Sequence, residues 1–282
     1  MRKAHLLAIA STAAILAACG GGNDESPAPE PQVEESEKLS PAPTPMASDM
    51  EPADPVEAAL ASPSRPADQV ELDEARKPGA IVALMDVGEG SRVVDLNGGT
   101  GYYAEILSPL VGPEGEVILH NDNFYGGFVR DRMDGRFDDE VGQNVDVIEV
   151  PLEELAGVVQ GVDSMVYALA YHDMFVVREG ETEPVADHEA ALASIFEALK
   201  PGGTFVVIDH VAMPGDVTEA ANTVHRIAPA TVKAQVEAAG FSLMEVSDVL
   251  MTGEDDYSIS VFDPSVRRKT DRFVFKFQKP AE

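Results

Sequence analysis

The sequence predicts an α/β protein: a largely parallel sheet with helices on both faces, built from residues 67–282. Two observations carry this. Short, continuous apolar runs rich in Val, Ile and Leu alternate with stretches of helical period. Glycine- and proline-containing breaks stand between them, where a strand must hand over to a helix. The length of this segment suits one core, and nothing in it calls for a second.

The elements follow in order. Arg92-Val93-Val94-Asp95-Leu96 is a β-branched run that enters a glycine-rich turn, Asn97-Gly98-Gly99-Thr100-Gly101. Tyr102 to Val111 has helical period and stops at Gly112-Pro113. Glu116 to His120 reads as the second strand. The third, Val145 to Val150, ends at Pro151. The fourth runs from Asp163 to Ala170 and leads into Tyr171-His172-Asp173. A helix from His188 to Lys200 ends at Pro201-Gly202-Gly203, and Thr204 to Asp209 is a fifth, buried strand. A helix from Ala230 to Ala239 ends at Gly240, and Phe241 to Leu250 and Phe273 to Lys279 supply the last two strands. Arg130, Arg132 and Arg136 alternate with Asp131, Asp134 and Asp138, as on a solvated mixed-charge helix. Arg267-Arg268-Lys269 reads as a surface loop, with a seat for an anionic substrate as the other reading.

The N-terminal residues read as an address. Met1-Arg2-Lys3 is a positive start, and the apolar run from Leu6 to Ala18 is too short to span a bilayer of about 30 Å. Leu16-Ala17-Ala18-Cys19 resembles the lipobox of bacterial lipoproteins, which implies cleavage before Cys19, its lipidation, and export to a membrane on the periplasmic face. Gly20 after the cysteine leans toward the outer membrane. Cys19 is the sole cysteine, so the chain forms no internal disulfide and no zinc–thiolate site. Residues 20–66 hold ten of the 20 prolines among Ala, Ser and Glu and read as a disordered tether. The expected organisation is therefore a signal peptide over 1–18, a lipidated Cys19 with its tether to 66, and a folded domain over 67–282. With 20 Lys+Arg against 50 Asp+Glu, the chain carries a formal charge of −30, which argues against nucleic acid as a partner.

Val93-Val94-Asp95-Leu96-Asn97-Gly98-Gly99-Thr100-Gly101 resembles motif I of S-adenosylmethionine-dependent methyltransferases with the Rossmann-like fold. Leu199-Lys200-Pro201-Gly202-Gly203 and Glu237-Ala238-Ala239-Gly240-Phe241 fit the same family in order and spacing. Tyr171-His172-Asp173 and Asp209-His210 further resemble an exported bacterial group of predicted methyltransferases. The resemblance implies a seven-stranded sheet of order 3-2-1-4-5-7-6, its last strand antiparallel, and S-adenosylmethionine as cofactor. It implies that Asp95 accepts from the cofactor's amino group and that Gly99 and Gly101 shape the loop around the methionine moiety. The sequence departs from the family pattern twice. Asn97 replaces a glycine, though Asn tolerates positive φ best among the other residues. His120-Asn121-Asp122 stands where an acid normally holds the ribose, leaving Asn121 or Asp122 for that contact.

His120, His172 and His210 each follow a strand directly, at the sheet edge where open α/β folds bind ligands. Asp173 and Asp209 adjoin two of them, and His225-Arg226 comes later. One reading makes His172, Asp173 and His210 catalytic, taking a proton from a small acceptor of unknown identity. A second is a zinc or iron site without thiolate. A third has them bonding loop backbones at the pocket rim. Adjacent His and Asp side chains diverge on a strand, so neither dipeptide alone makes a ligand pair. At the level of function, a membrane-anchored methyltransferase stands against a methyltransferase-fold lipoprotein that has lost methyl transfer and binds another small molecule or a metal, as a hydrolase would.

Overall fold

The computed structural model describes residues 54–133, 135–137 and 142–281. Its chain begins with four short helices: α1 (Pro55–Leu60), α2 (Ala67–Val70), α3 (Asp73–Arg76) and α4 (Pro78–Leu84). The sheet then opens with β1 (Arg92–Leu96), followed by α5 (Tyr102–Val111), β2 (Glu116–Asn121), α6 (Asn123–Val129) and β3 (Val145–Glu149). The second half holds α7 (Leu155–Val158), β4 (Val162–Ala168), α8 (His188–Ala198), β5 (Leu199–His210), α9 (Val217–Val224) and α10 (Pro229–Ala238). It closes with β6 (Ser242–Ser247) and β7 (Arg272–Gln278).

The strands form one seven-stranded sheet in the order β3-β2-β1-β4-β5-β7-β6. β1 pairs in parallel with β2 and β4, and β7 runs antiparallel to both β5 and β6. This is the expected Rossmann-like methyltransferase architecture. The continuous apolar character of β1, β4 and β5 has its reason here, because each is covered on both faces. On one face Val94, Leu155, Ile195, Phe205 and Val232 belong to one apolar cluster. On the other, Ile81, Val93, Ile106, Leu107 and Val206 form a second.

Several boundaries differ from the sequence reading; β5 starts at Leu199 instead of Thr204, and β6 spans Ser242–Ser247 instead of reaching Leu250. Ordered structure is already present ahead of 67, in α1. The Asp54 carboxylate accepts from the Val56 N–H (2.9 Å), Pro55 occupies the first helical turn, and Ala59 is buried, so proline here opens a helix instead of marking a tether. Arg65 then donates two bonds to Asp73 at 2.6 and 2.7 Å. The expected signal peptide, Cys19 and the expected tether as far as residue 53 lie outside the described residues. The helix predicted to Lys200 ends at Ala198, since Pro201 disfavours helical geometry at the residue before it and Leu199 pairs with Val162. β4 leaves the sheet at Ala168, where Leu169 takes a φ of 62°. The mixed-charge helix is absent among the described residues of its segment: Arg130–Arg132 form a single 3-10 turn, and Arg136 turns inward to Glu105 and the Thr100 carbonyl. Asp134 and Asp138 lie outside the described residues.

Candidate active site

The β1–α5 corner is shaped by close backbone approach. A Cβ on Gly98 would fall 2.4 Å from the Asp95 carboxyl carbon, so the loop can lie against Asp95 only with glycine there. Asn97 takes the positive φ (45°) expected of it. Its amide donates to Asp122 Oδ2 (2.9 Å) and accepts from the Asp122 N–H (2.8 Å). Gly99 (φ 63°) and Gly101 (φ 85°) also lie in the left-handed region. Asp95 is buried: Oδ2 accepts from the Ala104 N–H at 3.0 Å, while Oδ1 has no partner. Burial pushes its carboxyl up to about 7, against the pull of the Ala104 amide and the Arg76 charge.

The two expected ribose contacts are committed elsewhere. Asn121 braces the loop, accepting from the Gly99 N–H and donating to the Gly99 carbonyl, both at 3.0 Å. Asp122 caps α6 by accepting from the Tyr125 N–H (2.8 Å) and holds Asn97. Neither lines the cavity. His120 is also outside it. Its Nδ1 faces the Asn97 N–H and its Nε2 the Val150 carbonyl (2.9 Å), and burial holds it down at about 4, so it is a neutral structural residue.

A cavity of about 680 Å³ runs from Asp95 and the Asn97–Thr100 loop to the carboxyl edge of β4 and β5. That volume is within the usual range for small-molecule clefts. Its wall includes Phe124, Tyr125 and Phe128 of α6, along with His172, Asp173, His210 and His225. The three catalytic candidates are therefore brought together, and they share one cavity with Asp95, Asn97 and Gly99. Gly101 instead packs beneath the loop, where a Cβ would fall 2.6 Å from Phe137.

At the far end the organising residue is Asp209, fully buried at the end of β5. It accepts from the His172 N–H (2.8 Å), from the His210 N–H (2.7 Å) and from His172 Nδ1 (2.9 Å). The Asp209 carboxylate thus serves His172 rather than the ring of its own neighbour. His172 and Asp173 sit on a 3-10 turn, not a strand, so their side chains converge, with Nε2 3.3 Å from Asp173 Oδ1. This corrects the expectation that the dipeptide forms no pair. Tyr125 donates to the other Asp173 oxygen at 2.7 Å. Burial opposes charge on His172, yet Asp209 and Asp173 carry its imidazolium up to about 9. His210, bonded through Nδ1 to Thr270 Oγ1 (2.8 Å), is held well below the usual range by burial and by the cations around it.

Arginines are the feature that sequence reasoning sees only in part: it offers Arg267 and Arg268 as a seat for an anion, but not Arg76, Arg132 or Arg272. Arg76, Arg132, Arg267, Arg268 and Arg272 all line the cavity, in a chain of net charge −30. Arg272 is only 5% exposed. Its Nε donates to the Thr270 carbonyl (3.1 Å), and among the described residues no carboxylate lies within ion-pair distance of it. Arg76 likewise has no ion pair there; its guanidinium stacks 4.4 Å from the Tyr102 ring centroid. Arg267 and Arg268 reach the wall because the loop before β7 is tied down. Fully buried Arg226 clamps Asp255 at 2.7 and 3.0 Å, and Asp255 in turn accepts from the Asp271 N–H (2.8 Å). The legible signal for Arg272 was a cation opening the Phe- and Val-rich strand β7 at the end that pairs with His210.

The model of the ubiE/COQ5 methyltransferase family matches residues 73–225, just over half of the chain. The chain belongs to the ubiE/COQ5 methyltransferase family. Within it, the chain is 30% identical over 128 residues to the UbiE ubiquinone/menaquinone biosynthesis C-methyltransferase of Pseudomonas fluorescens (strain SBW25), covering 45% of each protein. It is 32% identical over 120 residues to that of Coxiella burnetii (strain RSA 493 / Nine Mile phase I), covering 43% of each. The alignments thus span less than half the length of these curated relatives. Among solved structures, the [4+2]-cyclase SpnF superposes with a TM-score of 0.52 at 17% identity, covering 74% of this chain and 81% of that one. A putative methyltransferase of Haloferax volcanii, solved with the activator Trm112, gives 0.50 at 17% identity over 80% and 97%. At such identities these likenesses establish the fold alone. S-adenosylmethionine is the cofactor of this ubiE/COQ5-type methyltransferase fold.

Proposed function

We propose that this member of the family transfers a methyl group from S-adenosylmethionine to a small acceptor bearing an anionic group. The observation that carries the reading is the unpartnered Oδ1 of Asp95, buried in the wall of a cavity that also holds the glycine loop. A buried acceptor without a donor is costly, and an incoming ammonium removes that cost. The loop fits the cofactor too, since a Cβ added at Gly99 would meet nothing nearer than Val129 at 4.0 Å. Asp95 would hold the amino group, the Gly98–Gly99 backbone would lie along the methionine part, and Phe124 and Phe128 offer an apolar wall. When bound, the cofactor supplies an electrophilic sulfonium methyl, and orientation of the acceptor then governs much of the rate.

The chain's own residues complete the acceptor side. Arg272 and Arg76 supply unpaired positive charge, which favours a carboxylate, phosphate or oxyanion. His210, neutral and bonded through Nδ1 to Thr270 Oγ1, borders the space where the acceptor's proton would be taken, and His172, held as an imidazolium by Asp209 and Asp173, adds positive charge beside it. Asp173 orients His172 from its other side. Isothermal titration of the purified chain with S-adenosylmethionine tests the reading: micromolar binding that is lost in Asp95→Ala is expected, and an absence of binding heat overturns it. Transfer of label from methyl-labelled cofactor to a panel of small acids and their neutral esters tests the acceptor class.

For cellular placement, we infer from Met1 to Cys19 an exported lipoprotein held on a membrane through Cys19, facing the periplasm. Support comes from the positive start, the short apolar run and the single cysteine after Leu16-Ala17-Ala18. Protease digestion of intact and permeabilised cells checks it; protection until the inner membrane is breached would reject export.

A further inference from the structure

One ligand atom from each of His172, Asp173 and His225 lies within 4.8 Å of the others in the cavity wall, two imidazoles and one carboxylate brought together from two segments. The individual spacings are 3.3 Å from His172 to Asp173 and 3.8 Å from His225 Nδ1 to Asp173. Both exceed the roughly 2.7–2.9 Å of a charge-assisted hydrogen bond. The first lies within the roughly 3.0–3.5 Å that separates neighbouring ligands when each sits about 2.1 Å from a common ion, and the second needs the His225 ring to move a few tenths of an ångström closer.

The supports around the three point the same way. Asp209 bonds the far nitrogen of His172, fixing the ring and leaving Nε2 toward Asp173. A carboxylate behind a ligating histidine is the usual outer partner in metal centres. Tyr125 does the equivalent for Asp173. His225 caps α9 with φ 53°, a left-handed backbone that a non-glycine residue adopts only where its surroundings hold it. The holder is Arg226, buried in its pair with Asp255 and bonded to the Val211 and Ile259 carbonyls. The His225 ring stands perpendicular to that of His172 at 5.6 Å, rests against Phe262 at 4.7 Å and is part-exposed.

We propose that His172, Asp173 and His225 bind one divalent transition metal, zinc or ferrous iron, with an open coordination position facing the cavity. Two nitrogens and one oxygen without thiolate suit these ions and select against calcium and magnesium, which demand oxygen ligands. The open position is where an oxygen of the acceptor would bind, beside the loop that holds the cofactor. In that detail alone the inference rests on the methyltransferase reading; binding of the ion does not.

The test uses the full chain, stripped with chelator and titrated without cofactor. Zn²⁺ is followed by calorimetry, Fe²⁺ under anaerobic conditions by metal analysis after gel filtration, and Co²⁺ by its visible d–d bands. One ion per chain is expected, with affinity reduced at least tenfold in Asp173→Asn and in His225→Asn, the latter keeping a residue that tolerates positive φ. Asp209→Asn should weaken binding by about 10–100-fold. Stoichiometric binding that is unchanged in both ligand variants, while their thermal unfolding matches wild type, would overturn the site, as would an absence of binding by all three ions. Because no cofactor is present, failure here leaves the S-adenosylmethionine titration to be decided by itself.

Discussion

At the β1–α5 corner, the glycine loop and the carboxylate that line the cavity come from one stretch of chain, from Asp95 to Ala104, braced from β2 by Asn121. At the opposite end, His172, Asp209, His225 and Arg272 arrive from four separate segments and meet only because β4, β5 and β7 are neighbours. The first end is glycine geometry and one orphaned carboxylate oxygen. The second is a charge network, with a shielded imidazolium, an unpaired arginine and a buried Arg226–Asp255 pair that holds the covering loop. The contrast teaches that the glycine corner is largely a local property of its own loop, whereas the charge network at the far end is a tertiary one.

Four experiments break or sharpen that contrast. The largest effect is expected from Arg226→Ala, which strands Asp255 as a buried charge and should cost about 3–5 kcal/mol in urea unfolding. In a variant that still folds, anion and metal binding should fail before cofactor binding does. Next is acid. His120 is neutral in the fold near pH 7, with its pKa lowered to about 4 by burial. Its stabilising contribution is complete above the unfolded value of about 6.5 and is lost as pH falls toward 4. The loss should reach about 3 kcal/mol, and His120→Gln should flatten that part of the profile.

Asp95→Asn should lower cofactor affinity by about 10–100-fold, the worth of one charge-assisted bond, without lowering the stability of the free protein. With the free carboxyl pushed up to about 7, wild-type affinity should climb as pH rises to that value and level off above it, while the variant stays flat. The smallest effect concerns Arg272. Replacing this unpaired buried cation by Met should raise stability by about 1 kcal/mol. It should also abolish any thermal protection by sulfate, and equal protection in both proteins would place the anion elsewhere.

Much of the fold was legible because it follows from local pattern. β1 and α5 begin and end where the β-branched run, the glycine turn and Gly112-Pro113 put them. Asn97 could be placed in a left-handed turn because that is a property of its own side chain. The failures have physical causes as well. Pro55, Pro63 and Pro66 look alike in a tether and at a helix start until Ala59 finds a surface to pack on. Asn121 and Asp122 stood where a ribose acid belongs, yet their hydrogen-bonding capacity is used by Gly99, Asn97 and Tyr125. His172 and Asp173 converge because Leu169 breaks the strand first, a kink that no periodicity announces.

What the sequence by itself determined is the order of strands and helices, the glycine corner and the presence of histidines at the carboxyl edge, since these depend on φ preferences, side-chain period and turn chemistry within a few residues. The tertiary structure decided that Asp209 serves the ring of His172 and not that of His210, that His225 joins them, and that Arg76 and Arg272 face the same cavity without an ion-pair partner among the described residues. Those outcomes depend on which distant groups share a low-dielectric space, and there a single carboxylate's choice of partner sets every neighbouring charge.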